Sequence, residues 1–284
     1  LMLLGVTSAQ AQITIAGNVY GGGNAGDLGG KTEVLVYGGD IHQVYGGARQ
    51  ANVGGSAFVH VDGEHASKYI IIDKLFGGND IAGTIGTSTT IPTDLKAVGT
   101  GAWQNNINNT WNTFVRTSTK TVTTGEGNEA VTTEAEGAQK VYIGQLFGGG
   151  NGEYDYTSET SPYRGKVKPV IGKTYLEICG GSIVYAYGGG NNATATDNVV
   201  IHVDNLSKVV NSIVDTSNPH AGTDGELLTN ERFSEQMGIN TGLSYPSSDA
   251  FQIGRFFGGN NKAEMAIRPT WSLKAGKIRN LYSG

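Results

Sequence analysis

The sequence has one cysteine, six prolines and no long apolar run. The single cysteine, Cys179, excludes an intrachain disulfide. A repeated block described below carries Tyr37 at the matching position, so we expect a buried, inert thiol and not a nucleophile. No apolar stretch approaches about eighteen residues, which excludes a transmembrane helix in the mature chain.

The formal net charge is −5 at pH 7, and no run of five or more basic residues occurs. This excludes the basic footprint of a nucleic-acid-binding protein. Glycine is in excess, at 45 of 284 residues, but it does not occupy every third position as collagen requires. Val, Ile, Leu and 13 Tyr supply apolar surface and argue against disorder. Abundant glycine with little proline predicts many short strands joined by tight turns.

An aromatic residue followed by a glycine run recurs along the chain. The aromatic residues of these copies are Tyr20, Tyr45, Phe76, Phe147, Tyr187 and Phe257, and a further copy reaches Tyr282. Longer blocks surround them at a constant offset of 142 positions, which separates Thr32 from Thr174 and Val59 from Ile201. A block has therefore been duplicated, and a third copy begins at Trp271.

Each copy has the pattern of a strand, a glycine corner, a second strand and a second corner. Val34 and Val36 alternate with other residues as in a half-buried strand. Gly38-Gly39 and Gly180-Gly181 form the first corner, where glycine can adopt a positive φ at no steric cost, and Gly46 and Gly188 mark equivalent second corners that are expected to require glycine. Coils of this kind stack about 4.8 Å apart, so that identical positions lie above one another. The sequence therefore predicts an all-β fold, a parallel β-helix (β-solenoid), with the aromatic rings stacked and the asparagines in a ladder beside them.

A β-propeller is the main structural alternative, because its blades also carry aromatic and glycine marks. Blades repeat at regular intervals, however, and the aromatic residues from Tyr20 to Phe257 lie 25, 31, 71, 40 and 70 positions apart. A solenoid tolerates this irregularity better, because a single coil accepts a loop of any length.

The chain is expected to form one β-solenoid domain over residues 12–284. Residues 1–11 have the pattern of a signal-peptide remnant that ends in Ala9-Gln10-Ala11, and a buried first strand is the alternative. The third copy stops inside its glycine run, so we expect a truncated C-terminus with further repeats of the same polypeptide beyond it.

Two insertions are expected to interrupt the domain. The first, residues 80–140, contains a Thr-rich stretch from Thr113 to Glu136 that predicts a projecting polar hairpin and a contact element. The second, residues 206–250, has apolar residues at helical spacing and predicts a small helical element packed on the domain.

Two His-x-Asp pairs occupy equivalent positions of the duplicated block and are the first candidates for a ligand-facing site. They are His60 with Asp62 and His202 with Asp204. Each pair shares one strand face opposite apolar neighbours, and we expect that face to be exposed. The functional interpretation is a polar groove for a metal ion or a sugar, and the alternative is a solvated face kept by duplication. A polysaccharide-cleaving β-helix needs converging carboxylates, for which the sequence gives no sign.

Two glycine-rich turns, at 23–28 and 77–80, resemble the calcium-binding nonapeptide of RTX β-rolls. No second nonapeptide follows either of them, although successive turns must share each ion. The glycine runs also lack the Lys-Ser/Thr of a phosphate loop, and no Ser-His-Asp, Cys-His or HExxH constellation is present. The sequence therefore predicts no catalytic residue, no cofactor and no metal ligand.

The Val-Tyr-Gly-Gly-Gly-Asn units, as at 19–24, and the Ala-Gln-Ala-Gln leader at 9–12 resemble large repeat-bearing surface proteins of Bacteroidota, which are described as adhesin-like. The resemblance covers the repeat blocks and not the insertions. It implies export, an extracellular or cell-surface location and a β-helix fold, and it carries over no catalytic residues.

The expected function is that of a non-catalytic secreted or cell-surface repeat protein with a structural or adhesive role. A host or matrix glycan or protein would be its partner, and no nucleic acid is expected. Two alternatives stay open: a carbohydrate-binding or carbohydrate-cleaving β-helix, and a calcium-binding β-roll-like module.

Overall fold

The computed structural model describes residues 13–66, 68–88, 111–124, 131–134, 141–203, 253–273 and 278–283. Within these ranges the chain is all β, with seventeen strands and no helix. The expected signal remnant at 1–11 and the expected helical element at 206–250 lie outside the described residues. The strands are β1 (Thr14–Tyr20), β2 (Thr32–Val36), β3 (Gly39–Tyr45), β4 (Ala57–Gly63), β5 (Ile70–Phe76), β6 (Thr113–Thr119), β7 (Thr121–Thr124), β8 (Val131–Glu134), β9 (Val141–Phe147), β10 (Val170–Ile171), β11 (Thr174–Cys179), β12 (Ser182–Tyr187), β13 (Thr194–Ala195), β14 (Val199–Val203), β15 (Ile253–Phe257), β16 (Pro269–Leu273) and β17 (Ile278–Tyr282).

Two long parallel sheets contain most of these strands. The seven-stranded sheet has the order β1-β3-β5-β9-β12-β15-β17, and the six-stranded sheet has the order β2-β4-β6-β11-β14-β16. Along the chain, strands of one sheet alternate with strands of the other. Neighbouring strands pair at equivalent positions of the repeat, so Val44 lies beside Leu75, and Tyr45 beside Phe76. The duplicated pattern read from the sequence is therefore the register of the sheets.

The main aliphatic core lies between the two sheets and draws residues from both of them. Val59 and Val61 of β4 belong to it, together with Val44 and Leu75 from the other sheet, and all four are fully buried. Alternate residues of a strand point to opposite faces, so the apolar positions of each strand meet one shared interior. Nothing in the described ranges forms a helix with the length and apolar content that a membrane crossing requires.

The aromatic residues of the repeat form a continuous stack beside that core. Consecutive ring centroids are 4.6 to 5.0 Å apart, and the rings lie within 14° of parallel. The order along the stack is Tyr20, Tyr45, Phe76, Phe147, Tyr187, Phe257 and Tyr282. The spacing equals that of neighbouring strands, so the rings follow the sheet register. The stack predicted from the sequence is present.

The glycine corners are of two kinds. Gly39, the first residue of β3, and Gly181, which precedes β12, have φ of 121° and 96°, which glycine adopts readily. Gly46 and Gly188 are instead required by close packing. A Cβ at Gly46 would overlap the carbonyl oxygen of Gly77 and lie 2.7 Å from Cγ2 of Val59. The expected positive φ is found at the first corner, and at Gly46 and Gly188 the neighbouring strand leaves no space for a side chain.

The expected first insertion is shorter than residues 80–140. Thr113–Thr119 forms β6 between β4 and β11, with all seven residues buried, so this stretch belongs to the six-stranded sheet and cannot be a surface contact element. The predicted hairpin is present as the antiparallel pair β7 and β8. Cys179, expected to be buried, is half-buried at the end of β11.

Candidate functional site

A row of charged and polar residues crosses the six-stranded sheet on the face opposite the aliphatic core. This polar row consists of His60, Arg116, Glu177 and His202, which lie side by side on β4, β6, β11 and β14. The sequence analysis expected His60 and His202 on an exposed face, and this is wrong. All four residues are at most 3 % exposed. The same face also carries a buried aromatic cluster that includes Phe58 and Phe114, which shows that the face is closed to solvent.

Two contacts satisfy buried groups of the polar row. Arg116 donates from Nη1 to Oε2 of Glu177 at 2.9 Å, and both side chains are almost fully buried. Such a pair needs good geometry, because each charge has lost its hydration. His60 Nε2 lies 3.0 Å from the Oγ of Ser118. Burial, together with the charge of Arg116, lowers the pKa of His60 to about 4, so this imidazole is neutral at pH 7.

At the end of β4 the row continues into a turn that contains further titratable groups. Asp62 is buried, and its Oδ1 accepts the backbone N–H groups of Glu64 and His65 at 2.9 and 3.1 Å. Its Oδ2 lies 2.7 Å from Nδ1 of His65. Burial by itself would raise the pKa of Asp62, but the hydrogen bonds from His65 and the charges of His60 and His65 hold that pKa below its usual range.

Asp62, Glu64 and His65 form what we call the turn cluster. One ligand-type atom from each residue lies within 4.8 Å of the others. The hydrogen bond to Asp62 and the charge of that carboxylate raise the pKa of His65. Burial raises the pKa of Glu64 against the opposing charge of Arg116. Sequence reasoning selected His60 and Asp62 but missed Glu64 and His65. The stretch His-Val-Asp-Gly-Glu-His at 60–65 nevertheless contains four titratable side chains, two imidazoles and two carboxylates.

Of the two His-x-Asp pairs, the structure describes both histidines and Asp62. His60 and His202 share the polar row, but Arg116 and Glu177 lie between them. Asp204 lies outside the described residues, so its relation to Asp62 stays a prediction.

A second polar centre surrounds Asp80 at a glycine corner. This carboxylate is buried and accepts hydrogen bonds from the hydroxyls of Tyr20 and Tyr154 at 2.8 and 2.7 Å, and from Nδ2 of Asn151 at 2.8 Å. Burial raises the pKa of Tyr20 to about 12. Burial also raises the pKa of Tyr154, and the hydrogen bond to Asp80 adds to this effect. The turn that resembled a calcium motif thus uses its carboxylate to hold tyrosines and an amide.

The asparagines beside the stack form the expected ladder over part of its length. Asn191 donates from Nδ2 to Oδ1 of Asn151 at 3.0 Å, and Asn261 donates in the same way to Asn191 at 2.9 Å. Asn79 instead accepts the backbone N–H of Ala48 at 2.7 Å. These amides satisfy polar groups at the glycine corners and link corners that lie next to one another.

The seven-stranded sheet presents a different row, which is half-exposed and which we call the outer row. Its members lie side by side on β3, β5, β9, β12 and β15: Gln43, Lys74, Gln145, Tyr185 and Arg255. Arg255 donates from Nη1 to the hydroxyl of Tyr185 at 3.1 Å, and its guanidinium carbon lies 5.4 Å from the ring centre. Of the two rows, this is the one that solvent and a macromolecular partner can reach.

No protein-family model matches the chain, and no curated protein sequence and no solved structure matches it. The function therefore has to follow from the geometry of the chain itself.

Proposed function

We propose that this chain is a β-solenoid segment of a secreted or cell-surface protein with a structural or adhesive role, and that it is not an enzyme. The strand order supports the solenoid, because the chain passes alternately through two parallel sheets and each pass pairs with the next at equivalent positions. Coils that stack in this way form a rigid support with long flat faces.

The observation that carries the proposal is the aromatic stack of seven rings in sheet register. Each stacked pair contributes about 0.5–1.5 kcal/mol beyond the burial of its area. The stack binds adjacent coils together along the entire length of the seven-stranded sheet, from Tyr20 of β1 to Tyr282 of β17. Rigidity over this length suits a protein that presents a surface more than one that closes around a substrate.

The outer row is the proposed contact surface, and an extracellular glycan or matrix protein is the proposed partner. It presents amide, ammonium, phenol and guanidinium groups at successive strands, about 4.8 Å apart. This arrangement also favours the second candidate, a carbohydrate-binding β-helix, because amides and an aromatic ring with a fixed polar partner recognise sugars by hydrogen bonding and stacking. The polar row is closed to solvent, so a substrate cannot reach it.

The test is binding by the immobilised protein to glycan arrays and to extracellular matrix proteins. We expect the double variant Lys74→Ala/Arg255→Ala to lose at least tenfold in affinity for whichever partner the unaltered chain retains. Lys166→Ala is the control, because Lys166 is exposed in a loop and is not a member of the outer row.

Two results would count against the proposal. Equal binding by the double variant and by Lys166→Ala would remove the outer row from recognition. Release of new reducing ends from any bound polysaccharide would show that the chain is an enzyme.

A further inference from the structure

We propose that the turn cluster, Asp62, Glu64 and His65, binds one divalent transition-metal ion of the zinc class. Two carboxylates and one imidazole supply oxygen and nitrogen ligand atoms that already lie within 4.8 Å of one another. Three protein ligands and one open position are a usual coordination for Zn²⁺. This site is independent of the adhesive role proposed above.

The local backbone brings the three side chains together before any ion arrives. β4 ends at Gly63, where a Cβ would lie 2.7 Å from the carbonyl oxygen of Ser118, so the chain turns close against β6. Asp62 then holds the N–H groups of Glu64 and His65 with one carboxylate oxygen. Its second oxygen lies 2.7 Å from the ring nitrogen of His65, within hydrogen-bond distance. A metal ion would take the place of this hydrogen bond between the two ligand atoms.

The ligand types select the class of ion. Imidazole nitrogen is a good ligand for Zn²⁺ and Co²⁺, whereas Ca²⁺ and Mg²⁺ take oxygen ligands almost exclusively. The two carboxylates would give the site a formal charge of −2, which a divalent cation neutralises. The guanidinium of Arg116 compensates only part of this charge, because it is already bonded to Glu177.

The chain contains two internal comparisons that isolate the cluster. In the duplicated block the His-Val-Asp stretch is kept, but Leu206 and Ser207 stand at the positions equivalent to Glu64 and His65. His42 Nδ1 and Asp73 Oδ2 form a second His–Asp pair with the same 2.7 Å separation. Among the described residues, however, only the turn cluster unites three ligand groups. The two additional ligand groups, Glu64 and His65, are therefore present in only one of the two copies.

The experiment is a titration of the metal-free protein with Zn²⁺ by calorimetry and with Co²⁺ by visible absorption. We expect one ion per chain and the intense visible absorption of Co²⁺ in a site of low coordination number. His65→Ala and Glu64→Gln should each weaken binding at least tenfold. His42→Ala should bind as the unaltered chain does, because its pair lacks the third ligand.

His65 is exposed, so its replacement should leave the fold intact, and thermal melts of the metal-free variants verify this. The proposal is overturned if the unaltered chain takes up neither ion. It is also overturned if His65→Ala and Glu64→Gln bind as tightly as the unaltered chain, or if His42→Ala loses binding to the same degree as they do.

Discussion

The polar row and the outer row are built on the same repeat, yet they have opposite relations to solvent. On the six-stranded sheet, His60, Arg116 and Glu177 are buried. On the seven-stranded sheet, Lys74 and Arg255 of the outer row are half-exposed. In the polar row a buried charge must be compensated by a neighbour in the protein, whereas in the outer row water compensates part of the charge. The two rows therefore differ in role, because the polar row is stabilised from within the protein and the outer row meets the surroundings.

Removal of one buried charge should change the free energy of unfolding most. Arg116→Met leaves Glu177 buried without its ion-pair partner, and we expect a loss of about 3–5 kcal/mol in the free energy of unfolding. Denaturant unfolding followed by circular dichroism measures the loss. Arg255→Met on the outer row is the matched control, with an expected loss of about 1 kcal/mol or less.

The double variant Arg116→Met/Glu177→Leu should recover much of that loss, because it removes both charges together. Equal losses for Arg116→Met and Arg255→Met would show that the two sheets do not differ in the way described.

The next effect in size concerns the corners that connect the two sheets. Gly188→Ala places a methyl group against the next coil, 2.8 Å from Cγ1 of Val199, and should cost about 1–3 kcal/mol through overpacking. Gly26→Ala is the control, because a Cβ at Gly26 meets no atom within 4 Å. Thermal melts that leave both variants equally stable would contradict the close packing of the corners.

The smallest expected effect is a pH dependence of the aromatic stack. Burial raises the pKa of Tyr20 and of Tyr187 to about 12 from the ordinary value of 10.0. Above pH 10 the unfolded chain releases tyrosine protons that the folded chain retains, so stability is complete below pH 10 and declines as the pH rises to about 12.

Tyr187→Phe removes one of these protons and should make the alkaline decline shallower, as measured by unfolding at a series of pH values. If the variant and the unaltered chain declined in parallel, Tyr187 would not hold its proton more tightly in the folded state.

The two sheets and the aromatic stack could be predicted because the same sequence pattern recurs along the chain. Several copies therefore indicate the same strand and the same corner. β6 was missed because Arg116, Thr117 and Ser118 look like a solvent-facing polar stretch. Their burial depends on partners far away in the sequence, such as Glu177 and Gly180.

The site was predicted less completely for the same reason. His60 and Asp62 were selected from the duplication, but a duplication emphasises what the two copies share. Glu64 and His65 have different residues at the equivalent positions of the second copy. Comparison of the two copies therefore did not point to them. The exposure of a strand face also cannot be read from alternation alone, because alternation separates the two faces and does not tell which of them is covered.

The aromatic stack affects how long a segment can be inserted between two neighbouring strands. Phe76 and Phe147 are neighbours in the stack although 71 positions separate them in the chain, and the same is true of Tyr187 and Phe257 over 70 positions. Closing a loop costs entropy that grows only with the logarithm of its length, about 0.6 kcal/mol for each doubling. One stacked ring pair, at about 0.5–1.5 kcal/mol, offsets such a doubling. Each stacked ring pair therefore holds its two neighbouring strands in register. The repeat can gain inserted segments at its corners without losing that register.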